Sequence, residues 1–115
     1  MPTPQEISIE QLNKLIANAK DILTNQVGIS LGVRKMNKII AAMDSLSSLK
    51  IDLSVFQEFE KKIDGCPVGS ERLLWEREDL KKKDIIVDKV IRIYRDRIID
   101  KCFEIISLKK NENPT

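Results

Sequence analysis

The 115-residue chain contains no histidine. Its absence removes the usual general base near neutral pH, the Ser-His and Cys-His nucleophile pairs, and the commonest metal ligand. Cysteine is nearly absent too: Cys66 and Cys102 are too far apart in the chain to form a zinc-binding pattern. With only four glycines there is no phosphate-cradling motif, and the acidic residues lack the spacing of a calcium loop. Eighteen Asp and Glu leave a carboxylate pair available for acid-base work, but nothing in their pattern selects two. No catalytic residue, metal or cofactor is assigned from the sequence.

Long apolar runs are also missing. None approaches the roughly 20 residues that span a bilayer, and Met1-Pro2-Thr3-Pro4 lacks the basic and apolar regions of a signal peptide, so a cytoplasmic protein without a membrane partner is expected. Charge of one sign is not in excess: 20 basic and 18 acidic residues are interspersed, for a net +2. No field of that strength recruits nucleic acid. In such a compartment the two cysteines are expected as free thiols.

What the chain has is helical periodicity and enough apolar residues, 42%, for one domain over 1–115. From Glu78 to Lys109, Leu80, Val87, Val90, Ile91, Tyr94, Ile98, Cys102 and Ile105 recur on one helical face. The stretch would form a helix roughly 45 Å long, which the rest of the chain must cover. Ile86, Ile93, Ile99 and Phe103 lie off the stripe and are expected to widen the buried surface, as in a globular bundle. The stripe is long enough that a homodimer through this helix is a further expectation.

Ahead of it, Ser8 and Gln11 have capping-box spacing and Ile7 and Leu12 staple spacing, which predicts a helix from Ser8 after a flexible lead-in of residues 1–6. That helix ends near Asn25 to Gly28, with Gly28 as the left-handed terminator. A second helix starts at Ile29 or Ser30 with Val33, Met36, Ile39, Ile40, Met43 and Leu46 inward. Gly32 within it signals a late start or a close backbone approach, and Ser45, Ser47 and Ser48 a chain reversal. Asp52 or Ser54 caps a third helix that buries Leu53, Phe56, Phe59 and Ile63 and stops at Asp64-Gly65. Glu78 and Asp79 suit the positive end of the last helix, pairing with Lys82 and Lys83, and 111–115 form a flexible tail. The fold class is all-α: about four helices in a bundle, a long C-terminal helix, and an ordered loop at Gly65 to Trp75.

The candidate binding residues are Arg34, Pro67, Gly69, Arg72 and Trp75. Arg and Trp are hot-spot residue types, yet a sole Trp beside two leucines favours an anchor on the core, with Arg72 bonded to loop carbonyls or an acidic neighbour. Arg34, near a helix start where a cation is unfavourable, favours a salt bridge. Arg92, Arg95 and Arg97 alternate with acids and favour a solvated face. Two functions fit: a small non-catalytic protein-binding module, such as an immunity or inhibitor protein, or a small-ligand or anion-binding protein in which Arg34, Arg72 and Trp75 converge on one pocket.

Gly32-x-Arg34 and Pro67-x-Gly69-x-x-Arg72-x-x-Trp75 give the chain a resemblance, over about Ala19 to Ile106, to a family of small bacterial helical proteins of unassigned activity. It departs from that pattern at Lys61-Lys62-Ile63-Asp64-Gly65. The resemblance implies a cytosolic, mostly helical bacterial protein and supplies no substrate or catalytic residue.

Overall fold

A computed structural model describes the backbone of residues 4–43 and 51–112, and the side chains of 9–43 and 51–108. Among the described residues four α-helices form: α1 (Pro4–Leu23), α2 (Ile29–Ala41), α3 (Ser54–Lys62) and α4 (Arg77–Glu112), with a 3₁₀ turn at Ser70–Leu74 before α4. The all-α architecture and the long C-terminal helix agree with the sequence reading.

Several boundaries differ from it. α1 begins at Pro4, so residues 4–6 are helical rather than a loose lead-in, and Ser8 lies inside the helix where no capping box can form. Proline suits a first turn because its missing N–H would have no partner there. Gln11 Nε2 instead donates to the Ala42 carbonyl at 2.9 Å, tying α1 to the end of α2. After α1 the left-handed residue is Asn25, with φ 60°, whereas Gly28 has φ −66° and is the extended residue preceding α2. Asn is the non-glycine residue best suited to that conformation. In α3 neither predicted cap holds the cap position: Leu53 precedes the helix there, Ser54 is the first helical residue, and Asp52, one residue before Leu53, accepts the Ser54 N–H through Oδ1 at 2.9 Å. Leu46 and the turn expected at Ser45–Ser48 lie outside the described residues.

Gly32 does mark a close approach. A Cβ there would sit 2.5 Å from Ile22 Cγ1, so α2 can lie this near α1 only without a side chain at that point. Alongside, buried Asn18 donates from Nδ2 to the Gly32 carbonyl at 2.9 Å. Asn37 of α2 reaches α3 through the Phe56 carbonyl at 3.0 Å and Glu60 Oε2 at 2.8 Å. Phe59 of α3 meets Tyr94 of α4 edge-on at 6.1 Å, and Arg97 extends across to Glu58 at 3.1 Å. These links alternate the helix directions, and α1 packing on α4 closes the ring of a four-helix bundle.

α4 sets the long dimension: 36 residues correspond to about 54 Å of helix, and the molecule measures 53 × 31 × 23 Å. Val87, Tyr94, Ile98, Cys102 and Ile105 of its stripe are buried, and Leu80, Val90 and Ile91 half-buried. The greater part of the stripe is therefore covered within one chain. Ile86, Ile93 and Phe103, expected in the core, face solvent, and only Ile99 of the off-stripe set is half-buried. The cause is length and placement: α2 and α3 are 13 and 9 residues, and together with α1 they cover one side of α4. The helix starts at Arg77 and continues to Glu112, so Asn111 and Glu112 are helical rather than part of the tail. Near its start Glu78 pairs with Lys81 at 3.6 Å, not with Lys82. Both cysteines are free and buried. Among the described residues no helix is long and apolar enough to cross a membrane.

Candidate functional site

After Gly65, whose φ is 83°, the chain from Cys66 to Trp75 buries Cys66 and Pro67 and packs Val68 against the core, which leaves its polar middle to be held by other contacts. Two arginine brackets hold it. Arg34, reaching from α2, pairs with Glu71 at 2.7 Å, and Glu71 Oε1 also accepts the Val68 N–H at 3.1 Å. Arg72 meets Asp84 of α4 in a two-pronged pair at 2.7 and 2.9 Å and donates to the Pro67 carbonyl at 3.3 Å. The planar guanidinium suits such fork-to-carboxylate contacts. Gly69 lies at the junction of the first bracket, where a Cβ would come within 2.9 Å of Glu71 Oε2 and 3.4 Å of Arg34 Nη1.

The electrostatics follow from those contacts. Arg34, then the N–H groups of Glu71, Val68 and Gly69, hold the Glu71 carboxyl down at about 2. Arg72 lowers Asp84, and Asp84 in turn raises Arg72. A carboxyl whose folded-state value is depressed contributes stability that is present above its ordinary value of 4.5 and lost as the pH falls toward 2. We expect the urea midpoint to fall across that window, and Glu71→Gln to flatten the fall while lowering the midpoint at pH 7. Trp75 fluorescence reports the unfolding.

Arg34, Pro67, Gly69 and Arg72 thus come together around one loop, but their polar groups are spent on the loop itself. A hollow of about 180 Å³ beside it is lined by Ser30, Arg34, Glu60, Ile63, Asp64, Gly65, Cys66 and Val68, and neither Arg72 nor Trp75 reaches it. Its volume is below the roughly 300 Å³ of small ligand sites, and Glu60 and Asp64 oppose an anion. A larger, open groove of about 670 Å³ runs between α2 and α3 past Asn37, Ala41, Gln57, Glu60, Lys61 and Asp64. Cys102 offers no nucleophile at neutral pH, because burial pushes its thiol up to about 11.

Trp75 does not anchor the loop in the core. It is 36% exposed, and Leu73 and Leu74 beside it are each 88% exposed. The arginine brackets, together with buried Cys66 and Pro67 and half-buried Val68, fasten the loop. Sequence reasoning missed the two leucines as surface groups: an apolar pair next to Trp reads as core, whereas the turn at Ser70–Leu74 buries none of its residues.

The class defined by these features is a four-helix bundle with a braced loop that presents apolar side chains to solvent. No family model matches the chain, and neither a curated protein nor a solved structure matches it.

Proposed function

We propose that the protein is a small non-catalytic protein-binding module, of the kind to which immunity and inhibitor proteins belong, that engages its partner through Leu73, Leu74 and Trp75. The observation that carries this reading is the exposure of two adjacent leucines on a turn held in place by Arg34–Glu71 and Arg72–Asp84. Exposed apolar residues on an ordered frame lose little conformational freedom on binding, and a neighbouring Trp is a frequent interface anchor. In this reading Gly32, Arg34, Pro67, Gly69 and Arg72 of the two signature segments are structural, and Trp75 is the one that meets the partner. The alternative of an Arg/Trp anion pocket receives no support from arginines already paired with carboxylates.

The test places a photo-crosslinking residue at position 74 and, as a control, at exposed Ala17 of α1, in the native cell extract. One protein captured at 74 and not at 17 is the expected result. Leu73→Ser/Leu74→Ser should then weaken binding of the purified partner at least tenfold while leaving the circular dichroism unchanged. Equal capture at both positions, or undiminished binding by the double variant, would refute the assignment.

A further inference from the structure

The solvent side of α4 carries a second pattern. Lys82, Ile86, Lys89, Ile93, Asp96, Asp100, Phe103 and Ser107 follow one another at alternating intervals of four and three, and those from Lys82 to Phe103 are exposed. That is the spacing of a coiled-coil seam, placed opposite the stripe that packs on α1 and α3. Ile93 and Phe103 are 71% and 60% exposed, and no described residue covers them.

The charges along this seam are sorted. Lysines 82 and 89 occupy its N-terminal half, aspartates 96 and 100 its C-terminal half. Two copies laid side by side in the same direction would set Lys89 against Lys89 and Asp100 against Asp100. Laid in opposite directions about a two-fold axis between Tyr94 and Arg95, they would set Ile86 against Phe103 of the other copy, Lys89 against Asp100, Ile93 against Asp96, and Lys82 against Ser107. Ile86 meets an apolar partner in Phe103 and each lysine at position 89 meets an aspartate. The least favourable layer, Ile93 with Asp96, lies nearest the axis, and exposed Arg92, one turn before Asp96, offsets the acidic charge there.

We propose that the protein self-associates as an antiparallel, two-fold symmetric dimer through this seam on α4, independently of the Leu73–Trp75 turn. The occupant is a second copy because the charge order of the seam is complementary to itself in reverse. Polar seam positions fix direction at a cost in affinity, so the dimer forms in the micromolar range rather than the nanomolar.

Sedimentation equilibrium of the full chain from about 1 μM to 1 mM tests this. Wild type should pass from monomer to dimer, and Lys89→Glu and Asp100→Lys, each at an exposed site, should each weaken association at least tenfold. An equimolar mixture of the two single variants should associate again, because each then places opposite charges in both layers, and the double variant should also dimerise. A parallel dimer would not recover in the double variant. A monomer at every concentration, or a dimer indifferent to both single substitutions, would overturn the proposal. Circular dichroism of each variant separates lost association from lost fold.

Discussion

Phe59→Ala should cost about 3–5 kcal/mol of folding stability. Phe59 has no exposed surface, lies at the middle of α3, and presents its ring edge-on to Tyr94 at 6.1 Å. Truncation loses the transfer free energy of the ring, leaves a cavity that helices on each side close only in part, and forfeits the aromatic contact. Total stability for a domain of this size is about 5–15 kcal/mol, so the loss is a large share of it. Urea unfolding followed by circular dichroism gives the value directly. Phe59→Leu, which keeps most of the volume, should cost less than half as much. Equal losses for the two substitutions would show that the ring itself, rather than the space it fills, is what α4 requires.

Gly32→Ala should destabilise the protein even though helix propensity alone argues the opposite. In an exposed helix interior the change would gain about 1 kcal/mol. Here the new Cβ would meet Ile22 Cγ1 at 2.5 Å, Ile22 Cδ1 at 2.9 Å and Val27 Cγ1 at 3.2 Å. Cγ1 is not the far end of a flexible chain, and Ile22 is buried, so relief requires α1 and α2 to part or Ile22 to leave its rotamer. Overpacking of this kind costs roughly 1–3 kcal/mol. Separation of the helices would also stretch the bond from Asn18 to the Gly32 carbonyl. A net loss of up to about 2 kcal/mol is expected once the propensity gain is subtracted. Ile22→Ala in the same chain should make Gly32→Ala neutral or favourable, and the double-mutant cycle measures that coupling. Additive losses would place the origin elsewhere than the contact.

The inner faces of this bundle were legible because helical periodicity reports burial directly: Met36, Phe56, Phe59, Ile98 and Ile105 were assigned to the core and have no exposed surface. Arg34 and Arg72 were legible as structural, since a cation near a helix start and an Arg in a polar loop both call for an anion. Two kinds of feature were not. Terminator identity at Asn25 and the early start at Pro4 depend on small local preferences that tertiary contacts override. The exposure of Ile86, Ile93, Phe103, Leu73 and Leu74 depends on how much surface the other helices supply, which a list of apolar residues does not contain. The surfaces on which both functional readings rest were therefore hidden by the same rule that located the core: apolar residues were assigned inward.

The alternating order of the helices has a kinetic consequence. Most of the contacts that build the bundle join neighbours along the chain, α1 with α2, α2 with α3 and α3 with α4, while the packing of α4 on α1 and α2 spans larger separations. Low contact order of this kind shortens the search, because little loop-closure entropy is spent before native contacts reward it. The docking of α1 onto α4 closes the longest loop, so of these pairings it carries the largest loop-closure cost.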